Sequence, residues 1–235
     1  MFSSALKCLA LVDALSEFSE PVPLSMLARA VGEGRSTVFK RLSTLVEAGW
    51  VEKTENGHYS LSLRTAAIGA RALEQASLGQ RVLPAIQQLS AEVQETVSII
   101  VLDRHESLIA QRVESGQVLR ADLRVGALMP IAENASGQVL VAFASPARRA
   151  QLVSDGVVLP SEETLERVRA RGASFASLVP RVTAIAVPIF GVHGYAEAAL
   201  SVAGPAERFD PESVEELVKE TACRLTVLAG GRPTS

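Results

Sequence analysis

Two cysteines in 235 residues cannot build a disulfide framework, and they stand at opposite ends of the chain, at Cys8 and Cys223. Each lies among apolar neighbours in a stretch of helical period. A bridge between them is possible in principle, but buried, reduced thiols are the expected state. The three histidines, His58, His105 and His193, are scattered, each near an expected turn, and no His or Cys spacing resembles a metal site. No Gly-x-Ser-x-Gly elbow is present, and Ala135-Ser136-Gly137 is too short for a phosphate-cradling loop. The carboxylate pairs Glu162-Glu163 and Glu215-Glu216 fall on stretches that read as solvated helix faces. No catalytic residue, metal or cofactor is therefore predicted. Aromatic residues make up 4%, which leaves little stacking surface for a large aromatic ligand. Mean hydropathy is +0.23, yet no apolar run is long enough to span a bilayer. The N-terminal stretch MFSSALKCLALVDALSEF lacks a basic leader, and Asp13 and Glu17 interrupt it, so it reads as a folded helix rather than a signal peptide. A cytoplasmic protein without membrane contact is expected.

Net charge is -3, which does not advertise a nucleic-acid binder, and residues 1–64 taken alone are neutral. Hydrophobic content of 48% against 21% charged is that of a globular chain, long enough for one large domain or two smaller ones. The stretch that organises it is Arg35–Trp50, RSTVFKRLSTLVEAGW. At about 100° per residue, Ser36, Thr37, Lys40, Arg41, Ser43 and Thr44 fall on one arc, and Val38, Phe39, Leu42, Leu45 and Val46 on the other. One face packs on a core; the other offers cations and hydroxyls that suit phosphate oxygens and base edges in a major groove. Alone, such a stretch is as well explained by an ordinary amphipathic helix. Its neighbours change that. A helical stripe over 4–17 precedes a short helix over Leu24–Val31, then the tight turn Gly32-Glu33-Gly34, then the helix over 35–49: a helix-turn-helix pattern. Gly49 is placed to end the third helix. Two strand-like runs follow, Trp50-Val51 and Tyr59–Leu63, with Asn56-Gly57 between them as a two-residue hairpin signal. A hairpin directly after such a helix reads as a wing, with Lys53 and His58 flanking its tip.

Beyond it, 65–76 and Gln80–Val93 carry helical patterns, and the period then changes to two. VSIIVLD, SLIAQRVE and VLRADLRV read as three strands. A helix over Ala135–Ala144 with Asn134 as its N-cap follows, then helices over 146–154 and 161–171, strands over 183–190 and 195–204, and a last helix over 211–228 opened by Asp210-Pro211. The predicted organisation is a winged helix-turn-helix over 1–64, a linker helix over 65–78, and an α+β sensor-like domain over 79–235.

On these motifs the chain resembles the IclR family of bacterial transcriptional regulators. The resemblance runs through RSTVFKRLSTLVEAGWVEKTENGHYSL, RVGALMPIAENASGQVLVAFASP, and LERVRARG continuing to TAIAVPIFGVHGYAEAALSVAGPAERF. It implies a winged helix-turn-helix that binds double-stranded operator DNA as a homodimer or dimer of dimers. It also implies a GAF-like C-terminal domain that binds a small organic effector. The DNA-facing candidates are Arg35, Ser36, Thr37, Lys40, Arg41, Thr44, Lys53 and His58. Lys40 stands where arginine is common in the family, and Arg41 where leucine is usual. The effector candidates are Asn134, Ala135, Ser136 and Gly137 at a helix N-terminus suited to a carboxylate. Met129, Phe175 and Ile185 (with Phe190) are candidate apolar walls, and Thr183 and Ser201 candidate polar handles. The family's Ala-x-Gly-Lys-Ala is here Ala135-Ser136-Gly137-Gln138-Val139. Its acidic run after Arg171-Gly172 is here ASFASLVPRV, without a carboxylate and with Arg181 in place of the usual glycine. A repressor responding to a small organic acid or catabolic metabolite is expected. The alternative is a small-molecule-binding or protein-interaction module that no longer binds DNA specifically.

Overall fold

The computed structural model describes residues 4–75, 78–79, 81–117, 123–176 and 180–232. It divides into two compact units, the first ending at Ala72 and the second beginning at Leu73.

The first unit holds α1 (Ser4–Ser16), β1 (Val22–Pro23), α2 (Leu24–Ala30), α3 (Arg35–Glu47), β2 (Val51–Lys53), β3 (His58–Leu61) and most of α4 (Leu63–Gln75). Its core is Leu11, Leu15, Leu27, Val38, Leu42, Leu45, Val51 and Tyr59. Of the five apolar α3 residues assigned to the packed arc, only Val38, Leu42 and Leu45 are buried. Phe39 is 47% exposed and Val46 37%, because the i, i+4, i+7 stripe alone meets the core and the flanking positions look outward. β1 is not predicted from sequence: it pairs antiparallel with β3, Val22 opposite Tyr59 and Pro23 opposite His58. Proline is tolerated there because β1 is an edge strand of the order β1-β3-β2. The wing loop also differs from the two-residue turn expected. Lys53 pairs with Tyr59, the Gly57 amide donates to the Thr54 carbonyl at 2.9 Å, and Gly57 takes φ +79°. This is a three-residue connection, a turn followed by a left-handed glycine.

The second unit is one antiparallel sheet with helices on both faces. In chain order come α5 (Leu83–Val93), β4 (Thr96–Asp103), β5 (Glu106–Val113), β6 (Leu128–Pro130), α6 (Ala135–Ala142), α7 (Pro146–Ser154), α8 (Glu162–Arg171), β7 (Ser174–Phe175), β8 (Val182–Phe190), β9 (Ala196–Pro205) and α9 (Glu215–Leu228). The strand order is β6-β5-β4-β9-β8-β7. Period-two alternation sorts the side chains into two cores. Val97, Ile99, Ile185, Val187, Ile189, Leu200 and Val202 pack with Ile86 and Leu89 of α5 and Val218, Ala222 and Leu225 of α9. Ile100, Ile109, Ala186 and Ala199 pack with Val139 and Leu140 of α6 and Leu165 and Val168 of α8.

Three sequence expectations shift here. Of the strand expected at VLRADLRV, residues 118–122 lie outside the described residues, and Arg124–Ala127 form a turn; the strand pairing with β5 is β6. The last helix begins at Glu215, not at Pro211. The Asp210 carboxylate accepts from the Glu212 amide at 3.0 Å and closes a local turn instead of capping a helix. Both cysteines are free thiols, but neither is buried as expected: Cys8 is half-buried on α1 and Cys223 is exposed on α9. Among the described residues, no helix is long and apolar enough to cross a membrane.

Candidate nucleic-acid interface and ligand face

On α3, Arg35, Ser36, Thr37, Lys40 and Thr44 are all exposed. Gly34 is the N-cap residue of the helix and has no side chain, so the first turn has no side-chain cap. The Ser43 and Thr44 hydroxyls donate back to the carbonyls of Phe39 and Lys40, at 3.0 and 3.2 Å, which leaves their oxygens as acceptors. Lys53 is exposed at the end of β2 with its ammonium 5.8 Å from the Tyr59 ring centroid. His58 begins the central strand of the wing and is half-buried, its amide donating to the Thr54 hydroxyl at 3.1 Å.

Arg41 departs from its expected place. Its guanidinium is bonded to the Glu33 carboxylate, and its side chain is only 15% exposed. Glu33 also takes the Lys7 ammonium at 3.0 Å. The helical wheel put Arg41 on the polar arc, but the tight turn before α3 brings a carboxylate to that edge, and the cation is paired inside the unit.

Two residues that sequence reasoning passed over tie α3 to α4. The Ser62 hydroxyl donates to the Gly49 carbonyl at 2.6 Å, and the Arg64 guanidinium to the Ala48 carbonyl at 2.9 Å. They satisfy carbonyls that the end of α3 leaves open. No sequence signal marks them, since their partners are backbone atoms brought close by the wing. In the second unit, Gln111 of β5 holds the chain just after α4, donating to the carbonyls of Leu78 and Gly79 at 2.5 and 3.3 Å.

The effector candidates separate by face. Asn134 caps α6: its Oδ1 accepts from the Gly137 amide at 2.7 Å, and its amide nitrogen donates to Pro130 O at 2.5 Å and to Ser107 Oγ at 3.3 Å. Ala135, Ser136 and Gly137 are buried. The glycine is required by the chain itself, because a β-carbon there would overlap the Ile131 backbone. Met129 packs on the α6 side. Ser201 is opposite Ala186 and shares that side. Ile185 does not: it is fully buried in the core under α5 and α9. Thr183, two residues before it on β8, shares its face, and Phe175, paired with Ile185, packs on the same core. The sequence places all of these on one cavity because it shows the strands but not which parity faces α6.

Register supplies residues that were missed. Arg112 lies opposite Ser98, Ser98 opposite Ser201, Ser201 opposite Ala186, and Ala186 opposite Ser174. This row crosses five strands on the α6 side, with small or hydroxyl side chains and a cation at one end. At the other end Gln138 of α6 accepts from the Ser174 hydroxyl at 2.6 Å and donates to the Ala132 carbonyl at 3.1 Å. A cleft of about 530 Å³ opens there between α8 and β7, lined by Gln138, Thr164, Arg167, Arg171, Ser174 and Phe175 among others. The Arg171 guanidinium sits 4.1 Å over the Phe175 ring and is bonded to Glu215. Among the described residues no three His, Cys, Asp or Glu side chains gather as a metal site.

Comparison with known proteins agrees with both halves. The family profile described as the IclR helix-turn-helix domain matches residues 4–55, and the one described as the bacterial transcriptional regulator IclR C-terminal domain matches 70–226. The HTH-type transcriptional regulator KdgR of Escherichia coli is 30% identical over 92% of this chain and 87% of its own length. The transcriptional repressor IclR of Escherichia coli is 28% identical over 95% of this chain and 88% of its own. A crystal structure of an IclR homolog of Microbacterium hydrocarbonoxydans, complexed with 4-hydroxybenzoate, has the same fold, with TM-score 0.77 at 24% identity over 95% of this chain and 99% of that one. Both Escherichia coli relatives are named as transcriptional regulators. Winged helix, six-stranded sensor sheet and both profile matches together show that this chain belongs to the IclR family of DNA-binding bacterial transcriptional regulators.

Proposed function

We propose that this protein is a cytoplasmic repressor that binds operator DNA as a dimer, or a dimer of dimers, and releases it when a small organic acid occupies the α6 side of its sensor sheet. One observation carries the DNA half: Arg35, Ser36, Thr37, Lys40 and Thr44 stand exposed along α3, beside a wing that presents Lys53. Lys40 and the hydroxyls reach base edges and phosphates, and Lys53 and His58 serve the backbone beside the wing.

The row Arg112–Ser98–Ser201 supports the effector half, since hydroxyls and a guanidinium on a small-residue floor suit a carboxylate. Met129 and the buried start of α6 would close over it. Homology in chemistry is consistent with this, as the Microbacterium homolog holds an aromatic carboxylate. Exposed apolar side chains on α1 and α4, with Leu63 at 85%, support a second copy covering this unit. Gln111 of β5, bonded to the chain just after α4, and Ser62 and Arg64, bonded to the carbonyls after α3, would carry a change in β5 along α4 to the recognition helix.

The test is fluorescence anisotropy of the full chain on DNA from its own upstream region, against a scrambled duplex, at physiological and higher salt. A preference of roughly a thousandfold for the upstream DNA supports the reading. Equal, weak, salt-sensitive binding to both would favour the alternative, a sensor that no longer reads an operator.

A further inference from the structure

Recognition helix α3 carries three cations, Arg35, Lys40 and Arg41, and one of them is held inside the fold. Glu33 is in the turn between α2 and α3, where its own amide donates to the Ala28 carbonyl at 3.1 Å, so the residue is fixed by backbone as well as by charge. One carboxylate oxygen takes Arg41 of α3, and the other takes Lys7 of α1 at 3.0 Å. The Glu33 and Arg41 side chains are 22% and 15% exposed, so this pair is better shielded from water than an ordinary surface bridge. The arrangement joins the first helix, the turn and the recognition helix through one acidic group.

We propose that Glu33 is a specificity-determining residue of the operator-binding surface. It keeps Arg41 and Lys7 off the phosphates and fixes the rotation of α3 about its own axis. Docking then depends on Ser36, Thr37 and Lys40 rather than on bulk charge. A cation that reaches a phosphate strengthens binding to every sequence alike, and each such contact steepens the dependence of log K on log salt by about 0.9. Two further mobile cations beside Arg35 and Lys40 would therefore raise affinity for random DNA and erode discrimination. A carboxylate that holds both leaves a surface selective by geometry.

The experiment measures salt slopes on upstream and scrambled duplexes for the wild type, Glu33→Gln and Arg41→Leu, with melting temperatures as a check of folding. In Glu33→Gln, scrambled-DNA binding strengthens, the slope steepens by about 0.9 for each cation released, and the ratio of upstream to scrambled affinity falls. Arg41→Leu, which keeps apolar packing, leaves the wild-type slope unchanged. An unchanged slope and ratio in a folded Glu33→Gln protein overturns the proposal. So does a slope flattened by about 0.9 in Arg41→Leu, which would place Arg41 on a phosphate. If Glu33→Gln does not fold, the Arg41→Leu slope decides. Discrimination by the wild type, measured in the same series, separates failure of this proposal from failure to bind an operator.

Discussion

Lys40 and Arg41 are neighbours in sequence and both basic, yet they have different fates. Lys40 is exposed on the outer arc of α3, whereas Arg41 is bonded to Glu33. Lys40→Ala is expected to weaken upstream-DNA binding by about 1–3 kcal/mol if the ammonium reads a base, and to flatten the salt slope by about 0.9 if it sits on a phosphate; anisotropy across a salt series distinguishes the two. A second residue-scale prediction concerns Glu215. Arg171 grips its carboxylate and Lys219 sits 2.8 Å away on the next turn; together they lower its pKa from 4.5 to about 2. A carboxylate whose pKa is depressed by folding stabilises the fold above its ordinary range, and that contribution is lost as pH falls from about 4.5 toward about 2. The loss expected is about 1–2 kcal/mol, since Arg171 is partly solvated. Acid unfolding followed by circular dichroism should show it, and Glu215→Gln should flatten that limb of the curve.

At the scale of elements, α6 shows how a short helix is held. Asn134 caps it, Gln138 ties it to β7, and Gly137 lets it lie against the Ile131 backbone. Gly137→Ala is expected to cost about 1–3 kcal/mol, because the obstruction is backbone and cannot rotate away. A lowered melting transition with upstream-DNA affinity retained at low temperature is the expected result; an unchanged transition would mean that the segment gives way. The wing follows the same local logic. Gly57 supplies the left-handed residue, Thr54 closes the loop on both sides, and β1 adds the third strand.

At the scale of the whole molecule, effector and operator must alter each other's affinity by the same factor if one protein couples them. A panel of short-chain and aromatic carboxylates, each with its neutral amide, tests this through release of upstream DNA. A carboxylate that releases DNA should bind the free protein more tightly than the DNA complex, by the factor by which it weakens DNA binding. Calorimetry on both forms measures that ratio. Arg112→Gln should weaken the carboxylate at least about tenfold and leave the amide unaffected, as expected when a charge-assisted contact is removed. Equal loss for acid and amide would assign Arg112 to packing.

The sequence alone determined what depends on local chemistry. The α3 pattern, the turn Gly32-Glu33-Gly34, the Asn134 cap, and the long alternating strands β8 and β9 are set by residues within a few positions of one another, so period and capping rules suffice to read them. Only tertiary structure decided the rest. β1 exists because β3 is beside it, and a two-residue strand ending in proline has no signal of its own. α9 starts late because Asp210 has a nearer amide to bind. Arg41 turns inward because folding brings Glu33 to it. The site divides in the same way. Lys40 and Ser36 were legible as exposed polar positions on an amphipathic helix. Arg112 and Ser98 became visible, and Ile185 left the pocket, only when strand register fixed which parity faces α6. A one-residue choice of parity reverses the face of every side chain in a strand, and the partner strands, not the local sequence, make that choice.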